Sequence, residues 1–245
     1  MSNGKVALLV GAGDAIGAAV ARRFAKGGYT VCIGRRNGEK SAALAEEIAR
    51  DGGRLMPFSV DARSEEEVKG LFAKVEADIG PVEVCLFNAG ANVKEAVTDT
   101  SAELFLKVWK LGCYSGFLIG REAAQRMLPR GRGTILFTGA TASTKGRHGF
   151  AAFASTKFAL RGLAQAMARE LGPKNIHVAH LVIDGGVDSD AIRKRLRAAG
   201  TEPDDLGENR LVNTASIAEA YWYLHAQAPD GWTHELDIRP FGEVW

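Results

Sequence analysis

Val6-Ala7-Leu8-Leu9-Val10-Gly11-Ala12-Gly13-Asp14-Ala15-Ile16-Gly17 is the stretch that decides how this chain is read. Five consecutive apolar residues suit a strand buried on both faces of a parallel sheet, the glycines suit a tight turn, and Ala18 to Lys26 suits a helix that follows at once. A glycine-rich turn feeding a helix N-terminus presents backbone N–H groups and the positive end of the helix dipole, with little side chain to hold an anion away. Its natural guest is a pyrophosphate. The same turn without a ligand is common in α/β proteins, so taken alone the stretch leaves both readings open.

Outward from it, the bulk properties narrow the class. At 245 residues the chain suits one large α/β core, and we read 1–245 as a single domain. The net charge of +2 supplies no global basic surface, so no nucleic-acid partner is expected. Asp14 and three glycines interrupt the apolar run from Val6 to Val20, and no other stretch is long enough to span a bilayer, so no membrane partner is expected either. Cys32, Cys85 and Cys113 lack metal-ligand spacing, and an odd count argues against a disulfide framework. That pattern predicts no metal site and a reducing compartment, most simply the cytoplasm.

The rest of the chain alternates strands with helices. Tyr29 to Gly34 reads as the second strand, followed by Gly34-Arg35-Arg36, where an acidic residue would bind a ribose 2′-hydroxyl and an arginine a 2′-phosphate. The arginines favour NADP(H) over NAD(H), with Asp14 as a mild argument the other way. Gly38 to Gly52 carries helical periodicity, Leu55 to Val60 is a strand ending in Asp61-Ala62, and Ser64-Glu65-Glu66-Glu67 opens the next helix as a capping box. Val82 to Phe87 leads into Asn88-Ala89-Gly90, Leu104 to Arg126 reads as one long helix, and Gly133 to Phe137 is followed by Thr138-Gly139-Ala140-Thr141. A helix over Phe158 to Leu171, a strand over Ile176 to Ile183, a helix over Ser216 to Gln227 and a strand over His234 to Arg239 complete the pattern. It predicts an α/β, Rossmann-type doubly wound parallel sheet of about seven strands with helices on both faces.

Two of these motifs carry a family resemblance. From Gly11 the pattern runs G-x-G-x-x-x-G, which resembles the glycine motif of the short-chain dehydrogenase/reductase family: Gly11 and Gly17 match, Val10 replaces a Thr, and Ala15 replaces the middle Gly. Asn88-Ala89-Gly90 matches the family's N-A-G tripeptide, and with it the resemblance covers essentially the whole chain. The resemblance implies hydride transfer with an NAD(P)(H) cofactor. It places cofactor contacts at Gly11, Gly13, Ile16 and Gly17, at Arg35 and Arg36, at Asp61 (beside the adenine) and Ala62, at Asn88, Ala89 and Gly90, and at Lys157, Gly185 and Val187.

The catalytic half departs from the family. Phe153-Ala154-Ser155-Thr156-Lys157 stands where the family has Y-x-x-x-K, so Lys157 is kept while Phe153 takes the Tyr position. Ala140, thirteen residues earlier, takes the Ser position, and Gly112 takes that of the relay Asn. Tyr114, Thr141, Ser155 and Lys157 are then the candidate replacement donors. Asp184-Gly185 replaces the usual Pro-Gly, and 186–212 corresponds to the substrate lid, with Arg193-Lys194-Arg195 and Arg197 forming either a solvated basic helix or a cover over an anionic substrate. The expected partners are a small-molecule substrate and further copies of the chain, as a homodimer or homotetramer, with Phe241, Val244 and Trp245 as an apolar tail that would pack on a neighbour. Two functions stand: a divergent NADP(H)-dependent oxidoreductase, or a catalytically inactive dinucleotide-binding sensor or partner subunit.

Overall fold

A computed structural model describes residues 4–242. Seven parallel strands form one sheet in the order β3-β2-β1-β4-β5-β6-β7: β1 is Val6–Val10, β2 Thr30–Arg35, β3 Arg54–Ser59, β4 Val82–Phe87, β5 Gly133–Thr138, β6 Ile176–Ile183 and β7 Glu235–Ile238. The helices are α1 (Ile16–Lys26), α2 (Ala42–Arg50), α3 (Glu65–Asp78), α4 (Ala102–Trp109), α5 (Ser115–Met127), α6 (Ala151–Leu171), α7 (Asp190–Ala198) and α8 (Thr214–Ala226). The predicted doubly wound sheet is therefore the observed one.

Alternation along β1 explains why the central strand has no polar face. Val6, Leu8 and Val10 join the core that also holds Phe72, Leu118 and Leu160 of α3, α5 and α6, while Ala7 and Leu9 join the core that holds Phe24 of α1, Ile48 of α2 and Tyr221 of α8. Both faces of a parallel sheet are covered, so each residue of the strand is apolar. At the edge the demand relaxes. In β3 Arg54, Pro57 and Ser59 are exposed and only Leu55 is buried, and Pro57, which has no N–H to give to a ladder, is tolerated there.

Two helices and one helix cap differ from expectation for local physical reasons. The long helix is continuous from Ala102 to Met127 but is widened by a π turn over Lys110–Tyr114, where the Ser115 hydroxyl donates to the Lys110 carbonyl at 2.8 Å. Helix α6 starts at Ala151, ahead of Phe153, so positions 153 and 157 share one helix. The Ser64 cap forms, its Oγ accepting from the Glu67 N–H at 3.3 Å, but the Glu67 carboxylate turns to the Asp61 N–H at 2.8 Å, tying β3's exit loop to α3. Among the expected tail residues Phe241 is exposed, and Val244 and Trp245 lie outside the described residues.

Candidate functional site

In this strand order the chain runs outward from β1 to β3 and then returns to β4 on the other side of β1. Crossovers on the two sides leave opposite faces, and a crevice opens over the carboxyl ends of the strands at that reversal. Two cavities of about 480 and 430 Å³ occupy it and share the wall Asn88-Ala89-Gly90.

The larger cavity is lined by Gly11, Ala12, Gly13, Arg35, Arg36, Lys40, Asp61, Ala62 and Leu111 with the shared tripeptide. Gly11 has φ +76°, and a side chain there would lie 2.6 Å from Ala89, so the turn requires glycine on both counts. A Cβ on Gly13 would meet nothing within 4 Å, leaving the cavity wall there bare backbone. Gly17 is different in kind: a Cβ would collide with Ala12 at 2.5 Å, so it serves the close seating of α1 under the loop rather than the cavity. Helix α1, like α2, α5 and α6, has no side-chain cap, whereas α3, α4, α7 and α8 are capped by Ser64, Ser101, Ser189 and Asn213. Of its first-turn N–H groups, that of Ala18 donates to the Gly13 carbonyl at 3.1 Å, closing the glycine loop onto the helix start. A bare glycine wall and an uncapped helix start are what a pyrophosphate needs, and the residues fit a dinucleotide.

The arginine pair is split by its surroundings. Arg35 is largely buried and its guanidinium donates to Asp14 in the glycine loop at 2.7 Å, while Arg36 is exposed at the cavity beside Lys40. Lys40 was not legible as a contact, because it stands on a one-turn helix (Gly38–Ser41) whose return to the cavity is set by Gly38 N–H donating to Ser59 Oγ at 3.1 Å. Asp61 lines the cavity with its carboxylate paired to Arg63 at 2.6 Å, and that hydrogen bond holds the acid below its usual range.

The smaller cavity gathers Ile16, Thr138, Gly139, Ala140, Thr141, Ala142, Phe150, Phe153, Lys157, Gly185, Gly186, Val187 and Ile192, together with Asn92, Lys145 and Arg147. Lys157 is almost wholly buried, its Nζ donating to the Thr138 carbonyl at 2.7 Å and lying 6.0 Å from the Phe153 ring centre. Burial pulls its pKa down to about 8. Ala140 and Phe153 stand in the same wall and carry no proton to donate. Thr141 faces Asp184, a buried carboxylate with Lys145 and Arg239 each 3.5 Å away. Burial alone would raise the acid, but the Thr141 hydroxyl and the two cations hold it below its ordinary value.

Several expected residues are elsewhere. Tyr114 is no donor candidate here: its ring stacks on Trp109 with centroids 6.4 Å apart, packs against the α3-side core and does not line the cavity. Ser155 donates to the Ala152 carbonyl of its own helix at 3.1 Å. Gly112 is buried in the π turn, where a Cβ would lie 2.3 Å from Thr156 Cγ2. Of the two readings of the basic lid helix, the contacts favour the solvated one. Arg193 is held by Asp188 at 2.6 Å and Asp204 at 2.8 Å, Arg197 by Glu202 at 3.2 Å, and Arg195 donates to the Asn92 carbonyl at 3.1 Å. Only Ile192 of α7 lines the cavity, so the arginines form a paired, solvated face.

One network was missed. Ala140 N–H donates to Ser143 Oγ at 3.1 Å, Ser143 Oγ lies 3.5 Å from His180 Nε2, and His180 Nδ1 lies 3.0 Å from Glu235, which Arg161 clamps at 2.7 Å. Burial pulls His180 to about 4, so it is neutral at pH 7, with Nδ1 as donor to the carboxylate. Its members are dispersed along the chain, and no local spacing announces them. The cysteines are unpaired and buried, and desolvation pushes Cys32 up to about 12, which agrees with inert core thiols. Among the described residues no cluster could hold a metal, and no helix is long and apolar enough to cross a membrane.

Known proteins agree with this geometry. A crystal structure of a short-chain dehydrogenase from Rhodopseudomonas palustris shares 47% identity, covers 97% of this chain and 99% of its own, and superposes with a TM-score of 0.83. A variant actinorhodin polyketide ketoreductase solved with NADPH shares 25% identity over 98% of this chain and 97% of its own, with a TM-score of 0.87. A short-chain dehydrogenase/reductase of Armillaria gallica is 34% identical over 185 residues, covering 73% of this chain and 69% of its own. Residues 5–199 match the short chain dehydrogenase family. The chain thus belongs to the short-chain dehydrogenase/reductase family and is an oxidoreductase of that type.

Proposed function

We propose that this protein is an NADP(H)-dependent oxidoreductase of small carbonyl or alcohol substrates whose proton-donating apparatus is largely lost. The observation that carries the reading is the wall of the smaller cavity, where Lys157 survives beside Ala140 and Phe153. When bound, the cofactor supplies or accepts a hydride at its nicotinamide ring. Gly11, Gly13 and the start of α1 would hold the pyrophosphate, Asp61 and Ala62 the adenine end, and Asn88 to Gly90 the middle. Lys157, fixed by the Thr138 carbonyl, would hold the ribose next to the nicotinamide. In the substrate half, Phe150, Phe153, Val187 and Ile192 exclude water and Thr141 offers a hydroxyl, already engaged with Asp184. Residues 186–212 act as the substrate lid through Val187 and Ile192.

Preference for the 2′-phosphate rests on Arg36 and Lys40 at the open cavity, with Arg35 oriented behind them by Asp14. Fluorescence titration should find NADPH bound about ten-fold more tightly than NADH, and Arg36→Asp should abolish the difference. Equal affinities in the unmutated protein would overturn the preference. The second reading, a catalytically silent dinucleotide sensor or partner subunit, is favoured by the same two apolar residues, Ala140 and Phe153. Turnover of NADPH with any member of a carbonyl panel would end it, and tight dinucleotide binding with none would end the first.

A further inference from the structure

A carbonyl oxygen gains negative charge as hydride reaches its carbon, and it needs a proton that Ala140 and Phe153 cannot give. The two hydroxyl residues of the smaller cavity's wall are already engaged: Thr138 Oγ1 pairs with the buried Tyr221 hydroxyl at 2.7 Å, and Thr141 with Asp184. The amides of Asn88 and Asn92 are not acids, and an arginine such as Arg147 keeps its protons at any ordinary pH. Lys145 is paired with Asp184 at 3.5 Å. The proton-bearing side chain that remains in the wall is Lys157.

Its place suits the task. Lys157 lines the smaller cavity, and its Nζ would lie 3.6 Å from a Cβ on Gly90, a residue of the wall that both cavities share. Bare backbone therefore faces the ammonium where the two cavities meet, which is where a substrate carbonyl has to meet a dinucleotide. An ammonium has three N–H donors, and one goes to the Thr138 carbonyl at 2.7 Å. Among the described residues no acceptor takes the other two, which leaves one for a ribose and one for a substrate oxygen. The surroundings also loosen the proton. No carboxylate of the described residues lines this cavity. Behind Lys157, His180 of β6 is neutral and Glu235 of β7 is held by Arg161 and His180, while Asp184, just past β6, is held by Lys145 and Arg239. Deprived of water and of an anion of its own, the ammonium is pulled down to about 8, where a general acid is most effective near neutral pH.

Resting on the reading of the protein as an oxidoreductase of small carbonyls and alcohols, we propose that Lys157 is itself the general acid, handing the carbonyl oxygen the proton that Phe153 cannot supply. As hydride bonds to the carbonyl carbon, the C=O π pair moves onto oxygen and the oxygen takes a proton from Nζ. An alcohol and a neutral amine result, and the amine regains its proton from water at the cavity mouth. In the direction of alcohol oxidation the neutral amine is the base.

Two kinds of measurement separate this role from ribose binding. In the full chain without cofactor, NMR of isotope-labelled lysines should show one side chain, missing from Lys157→Met, that titrates at about 8. A midpoint in the ordinary lysine range, near about 10.4, would overturn the proposal. With NADPH and a carbonyl panel, kcat should fall as pH rises on the alkaline side. Lys157→Arg keeps a cation for the Thr138 carbonyl and a ribose but does not release its proton, so kcat should fall at least about a hundred-fold while NADPH affinity stays within about five-fold. Lys157→Met should lose as much, and added methylamine should restore at least about ten-fold, other small amines following in order of their acidity. Thermal melts check folding, and either variant carries the test if the other unfolds. Undiminished turnover in Lys157→Arg, or no rescue by amines in a folded, NADPH-binding Lys157→Met, would overturn the proposal alone. No oxidation of NADPH by the unmutated protein with any carbonyl, even with Lys157 titrating at about 8, would overturn the oxidoreductase reading and this role with it.

Discussion

Phe153 and Lys157 lie one turn apart on α6 and face the same cavity, so the ring already occupies the direction from which a phenol would donate. Phe153→Tyr adds one oxygen to a half-buried ring, and Ala140→Ser adds one hydroxyl in the same wall. A general acid contributes about a hundred- to ten-thousand-fold, and these two additions restore only part of one. The double variant should therefore reduce a small activated ketone at least about ten-fold faster than the unmutated protein, equivalent to about 1.4 kcal/mol in the barrier. Steady-state NADPH oxidation measures it. No gain in a folded, NADPH-binding double variant would mean that the substrate is held out of reach of position 153.

Among elements, the π turn of the long helix and α6 meet where a third addition would be wanted. The resemblance would put the family's relay Asn at Gly112, yet a Cβ there would sit 2.3 Å from Thr156 Cγ2, and Thr156 is buried with its hydroxyl fixed to the Ala152 carbonyl at 2.8 Å. Neither helix can yield cheaply in a packed interior. Gly112→Asn alone should lower stability by about 1–3 kcal/mol, with activity unimproved. Thr156→Ser removes the offending methyl and keeps the hydroxyl, so the pair should recover at least half of that loss in urea denaturation. Undiminished stability of Gly112→Asn by itself would show that the two helices separate more readily than their packing implies.

Across the whole molecule, the network from Ala140 through Ser143, His180 and Glu235 to Arg161 ties β5, β6, β7 and α6 together behind the site. Its pH behaviour has a definite sign. His180 is held neutral at a pKa of about 4, below its unfolded value of about 6.5, so the unfolded chain binds more protons in that interval. The stability of the neutral form is fully present above pH 6.5 and is lost as pH falls through the window, by up to about 3 kcal/mol near pH 4. Glu235, held low by Arg161 and His180 against the opposing effect of burial, loses its contribution in the same direction at still lower pH. Urea denaturation of the unmutated protein should show this slope between pH 6.5 and 4.5, and His180→Gln, whatever its absolute stability, should reduce it by a part only, because burial also holds His225 down at about 4. An unchanged slope would assign the acid sensitivity to other groups.

What the sequence by itself determined about this protein is everything that depends on short-range pattern. Five apolar residues before a glycine turn, the alternation of strand with helix, and four-residue spacing on α6 specify β1, the doubly wound sheet and the shared face of positions 153 and 157. Each follows from the period of the backbone and from the φ that only glycine adopts freely. Tertiary structure alone decided which charges face which cavity. Arg35 turned to Asp14 at the cavity wall, Arg193 and Arg197 were spent on Asp188, Asp204 and Glu202, and Tyr114 was packed against the core, while Lys40, Lys145 and Arg147 came to line the two cavities. A long cationic side chain has several partners within reach, and the choice among them depends on residues brought near by folding rather than by sequence. Gly112 shows the same division. Its position was readable from the chain, but the methyl that bars a larger residue there belongs to a helix whose approach only packing sets.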